Sequence, residues 1–188
     1  MNQQALNLPL GLQLETPRLL LCAPRENEEI GPELNAIVCA SWNELREWMP
    51  WAKMLPTQED SIMSARQALW KWSNHSEFDF TLRLRRTRQI VGKCGLHTLE
   101  TNVGRAEIGY WLDSRVQGQG LMTEAVTRMV SFADALGFQR LEIRCDARNA
   151  RSIAIARRLG FEHEGTMRRV RFDNQNRLCD MAIWARLR

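Results

Sequence analysis

Alternation of apolar and polar residues predicts a group of strands in the middle of the chain. In residues 78–84 every second side chain is apolar, which is the pattern of a strand with one wet face. Residues 90–98 carry a second strand, and the polar segment between the two, residues 86–89, is expected to form a hairpin turn. Residues 105–112 form the next strand. The middle of the chain is therefore predicted to contribute three consecutive strands.

Helical periodicity is clearest after Thr57. A Thr-x-x-Asp pattern, Thr57 to Asp60, is a variant of the capping box that starts many helices. Apolar residues then recur at helical spacing, at Ile62, Ala65, Leu69 and Trp72. The pattern predicts a helix from Thr57 to about Ser73.

Three further segments have a helical pattern: residues 25–48, 121–136 and 152–159. Pro32 is expected to interrupt the first of them, and Pro50 to close it. Gly137 and Gly160 follow the other two as C-terminal caps.

The order of the elements defines the fold class. Four more strands are predicted, at residues 17–22, 141–146, 161–171 and 178–187. Hairpins and strand-helix-strand crossovers both occur, so one mixed sheet with helices on its faces satisfies the whole pattern. We expect an α/β (α+β) mixed-sheet fold, and the 188 residues to form a single domain over 1–188.

Composition supports a folded domain and disfavours membrane insertion. Hydrophobic residues make up 44% and charged residues 26% of the chain, close to the average of globular proteins. No apolar run approaches the roughly 18 residues that a membrane-spanning helix needs. The first residues lack the pattern of a secretory signal. We therefore expect a cytoplasmic protein.

Cysteine and histidine patterns give no sign of a metal centre. Five cysteines are present without a C-x-x-C pair, which favours reduced, buried thiols over disulfides or a zinc site. The three histidines have neither H-x-x-x-H spacing nor a cysteine close in sequence. We predict no metal.

Charge is distributed unevenly along the chain. Residues 1–60 carry 4 basic and 9 acidic groups, whereas residues 140–188 carry 12 basic and 6 acidic groups. Of the 26 basic residues 23 are arginine, which suits bidentate phosphate contacts. The basic C-terminal part suits an anionic cofactor, and the acidic N-terminal part suits an amine substrate. The arginines are interleaved with apolar positions and form no continuous run, which disfavours nucleic acid as a partner.

The segment from Arg115 to Gly120 carries the strongest chemical signal. Its sequence, Arg-Val-Gln-Gly-Gln-Gly, lies between a predicted strand and the start of a predicted helix. Glycines allow the backbone to approach a ligand closely, and the helix N-terminus behind them favours an anion. A phosphate or pyrophosphate is the natural occupant, although an ordinary tight turn is the alternative. The chain has neither a P-loop nor a G-x-G-x-x-G dinucleotide motif.

Several motifs in order resemble a known family. The R-x-x-G-x-G motif at residues 115–120, with Asn149, Ser152 and Gly160-Phe161 downstream, resembles the GCN5-related N-acetyltransferases (GNAT). Three further segments resemble the RimJ/RimL branch of ribosomal-protein N-terminal acetyltransferases: residues 14–21, 48–51 and 106–112. The resemblance covers residues 14–187. It implies the GNAT-like fold and acetyl-CoA as co-substrate.

The resemblance also implies residue roles for the coenzyme. Backbone N–H groups of Val116 to Leu121 would hold the pyrophosphate, and the edge of β-strand residues Tyr110 to Leu112 would pair with the pantetheine arm. Asn149 would hydrogen-bond the pantetheine. The full set of expected coenzyme-binding residues is Tyr110, Trp111, Leu112, Arg115, Val116, Gln117, Gly118, Gln119, Gly120, Leu121, Asn149 and Ser152.

Two catalytic residues follow from the same resemblance. Glu107 matches a glutamate that some members use as general base; a buried structural carboxylate is the alternative. Ser152 matches a position thought to assist departure of the thiolate, and simple capping of the following helix is its alternative. The tyrosine acid of many members is replaced by Ala156, and Arg171 stands where a RimL-like glutamate base is aligned. Deprotonation through water is therefore a second route.

Tryptophans mark the substrate side. Five of the seven tryptophans lie within residues 42–72, and packing in the core is the default reading for most of them. Trp48 and Trp51 are the expected pocket walls. Nearby carboxylates would form an acidic rim for a cationic acceptor, with a solvated helix face as the alternative; they are Glu44, Glu47, Glu59 and Asp60.

The sequence does not distinguish between two kinds of amine acceptor. The first hypothesis is a protein N-terminal α-amine, and the second is a small amine such as a polyamine, amino acid or antibiotic. A catalytically silent module that binds CoA or RNA is a third. Similar enzymes are often homodimers.

Overall fold

Eight strands form one mixed sheet in the computed structural model, which describes residues 6–27 and 29–188. The strands are β1 Gln13–Glu15, β2 Leu19–Cys22, β3 Phe78–Leu84, β4 Ile90–Glu100, β5 Arg105–Leu112, β6 Arg140–Asp146, β7 Glu162–Phe172 and β8 Leu178–Leu187. Their order across the sheet is β1-β2-β3-β4-β5-β6-β8-β7. Neighbours are antiparallel except β5 and β6, which are parallel.

Helices cover both faces of this sheet. They are α1 Gly31–Ala40, α2 Trp42–Trp48, α3 Gln58–Ser73, α4 Leu121–Ala135 and α5 Ala150–Arg158. On one face α4 and α5 pack into the main core; on the other face α1 and α2 pack around Ile90 and Trp111. The predicted mixed α/β fold is confirmed.

Local sequence signals predicted some helix boundaries correctly. Thr57 and Asp60 form the predicted capping box: the Thr57 hydroxyl accepts from the Asp60 N–H at 3.1 Å, and Asp60 Oδ2 accepts from the Thr57 N–H at 2.8 Å. Pro32, by contrast, lies in the first turn of α1 and does not interrupt it, because proline's missing N–H costs nothing there. The described residues ahead of α1, 25–27, 29 and 30, are accordingly outside the helix, and residues 41 and 49 bound α2.

Three other boundaries differ from the prediction. The strand expected at residues 17–22 begins at Leu19, and a short strand before it, Gln13–Glu15, was missed. The helix expected at residues 152–159 begins at Ala150 because Asn149 caps it. Strand β4 continues to Glu100, two residues beyond the expected end.

The main core contains an aromatic cluster between helices and sheet. Trp72 of α3 packs edge-on against Phe78 and Phe80 of β3, with ring centroids 5.1 and 5.0 Å apart. Phe132 of α4 contacts Phe80 from the helix side at 5.3 Å. Edge-to-face rings add stability beyond the area they bury. Of the five clustered tryptophans only Trp72 is fully buried, so the expectation that most would be core residues is wrong.

Strands β5 and β6 pair along only part of their length. Their register runs from Arg105 opposite Arg140 to Glu107 opposite Glu142, and then pairing ends. The residues of β5 beyond Glu107 remain paired with β4 on the other side. The two parallel strands therefore diverge at Glu107 and leave a gap that is lined on one side by unpaired main-chain groups.

The cysteines are free thiols, as predicted, and four of the five are buried; Cys39 is half-buried. Within residues 6–27 and 29–188, no helix is long and apolar enough to cross a membrane.

Candidate active site

Two adjoining cavities surround the gap between β5 and β6. The larger has a volume of about 790 Å³ and the smaller about 540 Å³. Six residues line both: Trp48, Met49, Tyr110, Trp111, Asn149 and Ser152. The cavities therefore meet where the strands diverge.

The glycine turn forms one wall of the smaller cavity. Gly118 and Gly120 both have φ of +76°, a conformation that L side chains rarely adopt, and nothing lies within 4 Å of the position of a Gly118 β-carbon. No acceptor among the described residues takes the N–H groups of Gly118, Gln119 or Gly120. Because α4 starts at Leu121 without a side-chain cap, its first N–H groups add to this row of free donors.

A buried aspartate shapes the turn ahead of these glycines. Asp113 accepts from the Arg115 N–H at 3.0 Å and from its guanidinium at 2.6–3.1 Å, and starts a single 3-10 turn, Ser114–Val116. Ser41 donates to the same carboxylate at 3.4 Å and accepts from the Ser114 N–H. Burial opposes the Asp113 charge, but the hydrogen bonds from Arg115 outweigh it and lower the pKa of Asp113.

A second anchor holds the glycine turn from the β2 side. The Arg18 guanidinium donates to the Gln119 carbonyl at 2.8 Å and to Glu124 in the first turn of α4 at 2.7 Å. Glu124 also accepts from the Arg18 N–H. These contacts hold the Gln119 carbonyl and the first turn of α4 in place before any ligand binds.

A tyrosine and a serine meet at the junction of the cavities. The hydroxyl groups of Tyr110 and Ser152 lie 2.8 Å apart, within hydrogen-bond distance. Burial raises the pKa of Tyr110 well above its ordinary value, although the Ser152 hydrogen bond opposes the shift. Asn149 caps α5 by accepting from the Ser152 N–H at 3.1 Å. The alternative in which Ser152 itself caps this helix is wrong: Asn149 is the cap, and the Ser152 hydroxyl contacts Tyr110 instead.

A carboxylate stands in the larger cavity where β5 and β6 part. Glu107 is the last β5 residue paired with β6, and burial raises its pKa above the ordinary value. Arg144, whose Nε lies 4.0 Å from Glu107 Oε2, and His97 on the neighbouring strand oppose this rise. A carboxylate with a raised pKa accepts a proton more readily than an exposed one.

The predicted tryptophan walls line the larger cavity. Trp51, which is 51% exposed, packs on Trp111 with ring centroids 6.1 Å apart. Trp48 borders both cavities. The end of α2 and the loop after it are held by Asn174, whose side-chain amide donates to the carbonyls of Arg46, Met49 and Ala52 at 2.9–3.1 Å.

Most of the residues expected to contact coenzyme line the smaller cavity. Nine of the twelve do: Tyr110, Trp111, Leu112, Gln117, Gly118, Gly120, Leu121, Asn149 and Ser152. Arg115, Val116 and Gln119 line neither cavity. The Arg115 guanidinium is held by Asp113, and the N–H groups of Val116 and Gln117 donate inside the turn, so the free amides begin at Gly118. Of the expected acidic rim, Asp60 lines the larger cavity and Glu44 the smaller, whereas Glu47 and Glu59 line neither.

Sequence reasoning missed two arginines of the smaller cavity. Arg151 and Arg158 lie seven residues apart on α5, so both lie on one face of the helix, and both line the cavity. Arg151 donates to the Gln117 side chain, and Arg158 to the Thr123 hydroxyl at 2.9 Å. The seven-residue spacing of the two arginines could have indicated a ligand-binding face. However, charged residues on an ordinary solvent-exposed helix face show the same spacing.

A comparison with protein families identifies the fold. The GNAT acetyltransferase domain model matches residues 18–162, more than three quarters of the chain. The chain belongs to the GNAT acetyltransferase family. Membership makes acetyl-CoA the acyl donor and an amine the acceptor.

Curated relatives of this GNAT chain include N-acetyltransferases of two bacteria. It is 24% identical to the ribosomal-protein-serine acetyltransferase of Escherichia coli over 155 residues, which cover 82% of the chain and 85% of that protein. It is 30% identical over 110 residues to an uncharacterized N-acetyltransferase, p20, of Bacillus licheniformis. This match covers 58% of the chain and 61% of p20, about three fifths of that relative's length.

Solved structures share the fold of this GNAT chain. RimL, a ribosomal alpha-N-protein acetyltransferase in complex with coenzyme A, superposes with a TM-score of 0.85 at 23% identity, over 94% of the chain and 98% of RimL. The microcin C7 self-immunity acetyltransferase MccE, in complex with acetyl-CoA and AMP, has a TM-score of 0.84 at 22% identity, over 92% and 94%. The expected GNAT fold is thereby confirmed.

The smaller cavity fits the coenzyme that the family uses. Open space at Gly118 and the free amides that follow it suit a diphosphate, which accepts hydrogen bonds and carries negative charge. Arg151 and Arg158 add positive charge along the same cavity. The unpaired edge of β5 beyond Glu107 offers main-chain groups to the amides of a pantetheine arm.

Proposed function

We propose that this GNAT chain transfers the acetyl group of acetyl-CoA to the N-terminal α-amine of a protein. The observation that carries the proposal is the position of Glu107: it stands in the larger cavity at the divergence of β5 and β6, next to the junction with the smaller cavity. Ribosomal-protein acetyltransferases among its relatives and structural neighbours support a protein acceptor.

In this proposal each cavity binds one substrate. The amides from Gly118 onward, with Arg151 and Arg158, hold the diphosphate in the smaller cavity. Acetyl-CoA, when bound, supplies the thioester carbon at which the amine nitrogen forms its new bond. The larger cavity holds the acceptor chain, and Trp48 and Trp51 form its aromatic wall.

Glu107 has the role of proton acceptor for the amine. An α-amine has a reference pKa of about 8, so part of it is already neutral near pH 7. The raised pKa of the Glu107 carboxyl brings it closer to that of the amine, which favours transfer, directly or through one water. The amine nitrogen loses one proton as its bond to the acyl carbon forms.

Ser152 has the role of proton donor on the opposite side of the acyl carbon. As the carbon–sulfur bond breaks, the sulfur needs a proton, and the Ser152 hydroxyl at the junction can donate it. Tyr110 Oη, 2.8 Å away, hydrogen-bonds the Ser152 hydroxyl and can orient it. The chain lacks the family tyrosine at Ala156, and Tyr110 brings a phenol to Ser152 from another strand.

An acetylation screen tests this function. Purified protein is given acetyl-CoA with peptides bearing free serine or alanine N-termini, and separately with polyamines, amino acids and aminoglycosides, while free thiol is measured. We expect release of thiol with peptides and, by mass spectrometry, one acetyl group on the α-amine. Turnover with small amines alone would assign a small-molecule acceptor, and CoA binding without thiol release on any amine would contradict catalysis.

A pair of glycine variants tests the coenzyme site. Gly118→Val places a side chain where the cradle is now open, and we expect it to weaken acetyl-CoA binding more than tenfold by calorimetry. Gly160→Val is the matched control: Gly160 has φ of +74° and open space around its β-carbon position, but lines neither cavity. Equal loss of affinity in both variants would show that backbone strain, and not the cradle, is responsible.

A further inference from the structure

Arg171 occupies an unusual place in the larger cavity. It lies near the end of β7, opposite Cys179 of β8, and lines the cavity. Its Nε is buried and has no hydrogen-bond partner in the part of the chain that the structure describes. An arginine normally satisfies its donors, because an unsatisfied buried donor costs free energy.

The other cations of the cavity wall all have carboxylate partners. The distances are 2.7–2.8 Å, and the pairs are Lys71 with Glu77, Lys93 with Asp79, and Arg144 with Glu142. Within residues 6–27 and 29–188, Arg171 forms no ion pair. It is therefore the cation of this wall that remains available to a ligand.

Carboxylates close to Arg171 in the fold are already engaged. Asp146 lines the same cavity but is paired with Arg148 at 2.7 Å. Asp173, two residues along the chain, accepts from Arg148 at 3.1 Å and from Arg177 at 2.9 Å. No carboxylate in the described part of the chain, residues 6–27 and 29–188, is thus paired with Arg171.

A carboxylate is the ligand chemistry that suits such a group. The planar guanidinium presents paired N–H donors that match the two oxygens of a carboxylate. A charge that is partly removed from water gains more from a well-placed opposite charge than an exposed one does. Coenzyme phosphates are assigned to the amides and arginines of the smaller cavity, which Arg171 does not line.

We propose that Arg171 selects acceptor peptides that carry an aspartate or glutamate within a few residues of the amine to be acetylated. The inference rests on the proposed function, because it names a subclass of its acceptor. Arg171 would bind the acidic side chain while the amine reaches Glu107 in the same cavity.

A peptide series measures this selection. Peptides with an N-terminal serine carry glutamate, glutamine or lysine at position two, three or four, and kcat/KM is determined for each. We expect the best glutamate peptide to exceed its glutamine counterpart roughly tenfold, the range for a hydrogen bond to a charged group. Arg171→Gln should reduce this ratio to about one, with the loss mainly in KM, and Arg171→Glu should favour the lysine peptide.

Arg168→Gln is the matched control, because Arg168 is exposed on the same strand and lines neither cavity. It removes the same charge and should keep the preference for glutamate. Arg171→Lys keeps the positive charge but lacks the planar guanidinium, and it should keep part of the preference for glutamate. Thermal melting and coenzyme affinity show whether each variant is folded.

Three outcomes would overturn the inference. One is a wild-type protein that acetylates glutamate and glutamine peptides equally, whatever the variants do. Another is an unchanged glutamate preference in Arg171→Gln, and the third is an equal loss in Arg168→Gln. Acetylation of peptides without charge preference would leave the proposed function intact, whereas failure to acetylate any peptide would contradict that function itself.

Discussion

Glu107 shows how one residue combines a place in the sheet with a shifted acidity. It is the last residue of β5 that pairs with β6, so the main chain holds it at the point of divergence. Burial raises its pKa, while Arg144 and His97 limit the rise. The carboxyl is thereby a stronger proton acceptor than an exposed glutamate, and it keeps its proton up to a higher pH.

We expect Glu107→Gln to remove one limb of the pH profile. In the wild type, kcat/KM should rise with pH as Glu107 loses its proton, and rise again as the amine deprotonates near pH 8. The variant should keep only the amine limb and lose about 100-fold in rate at pH 7. Glu162→Gln, an exposed change on β7, is the control and should keep both limbs. An unaltered profile in Glu107→Gln would make the carboxylate structural and leave deprotonation to water.

The site was predictable from sequence where its groups are local. A short motif predicts the two positive-φ glycines, Gly118 and Gly120, and the helix that starts at Leu121. All three residues line the smaller cavity. Arg115 belongs to the same motif, but sequence cannot tell that buried Asp113, two residues away, holds its guanidinium. The meeting of Tyr110 with Ser152 joins residues 42 positions apart, and no local pattern contains it.

The turn between β7 and β8 ties two distant elements together. Asn174 lies in this turn and donates to carbonyls at the end of α2, which carries Trp48, and in the loop after it, which carries Trp51. One amide thus fixes a wall of the larger cavity to the edge of the sheet. Because this segment is anchored to the sheet, Trp48 and Trp51 are held in place before an acceptor arrives.

Asn174→Ala should loosen that wall while leaving the coenzyme site intact. We expect a loss of about 1 kcal/mol in the free energy of unfolding, the usual value for a lost hydrogen bond, and a several-fold rise in KM for the acceptor. Acetyl-CoA affinity should change much less than KM for the acceptor, because Asn174 makes no hydrogen bond to the glycine turn that holds the diphosphate. Denaturant unfolding and steady-state kinetics measure these quantities. Asn102→Ala, exposed in the β4–β5 turn, is the control, and a matching rise in KM there would contradict the assignment.

Element types followed from the sequence more closely than their arrangement did. Alternation and capping predicted β3, β4 and α3, because those signals lie within a few residues of one another. The insertion of β8 between β6 and β7 was not predicted, and neither was the short pairing of β5 with β6. Pairing between strands depends on residues far apart in the chain, and the period of two along one strand does not specify its neighbour.

Across the whole molecule, arginines hold buried carboxylates in their ionised form. Glu142 on β6 is paired with Arg140 and Arg144, each at 2.7 Å. Burial opposes the charge of Glu142, but these hydrogen bonds prevail and lower its pKa. The same balance lowers the pKa of Asp146 and Asp173, which share Arg148.

These pairs should make the protein sensitive to acid. A carboxyl whose pKa is lower in the folded than in the unfolded state stabilises the fold fully above its unfolded pKa, about 3.9 for Asp and 4.3 for Glu. That stability is lost as the pH falls toward the folded-state pKa. We expect Tm to be nearly constant from about pH 7 to pH 5 and to fall steeply below about pH 4.

The matched variants for this test are Asp173→Asn and Glu162→Gln. Asp173→Asn should lower Tm at neutral pH and flatten its fall in acid, because the ionised partner of Arg148 and Arg177 is gone. Glu162→Gln changes an exposed carboxyl and should reproduce the wild-type curve. A wild-type curve without an acid slope would show that the paired carboxyls do not govern stability.

Holding a diphosphate with peptide N–H groups has a consequence for how the chain can change over evolutionary time. An amide at position 119 or 123 is present with any amino acid except proline, so other substitutions there leave the donors unchanged. Replacing Gly118 or Gly120 redirects them, because few other residues tolerate φ near +76°. Comparisons that score side-chain chemistry alone will undervalue this loop, whereas amide hydrogen exchange reports on its donors directly.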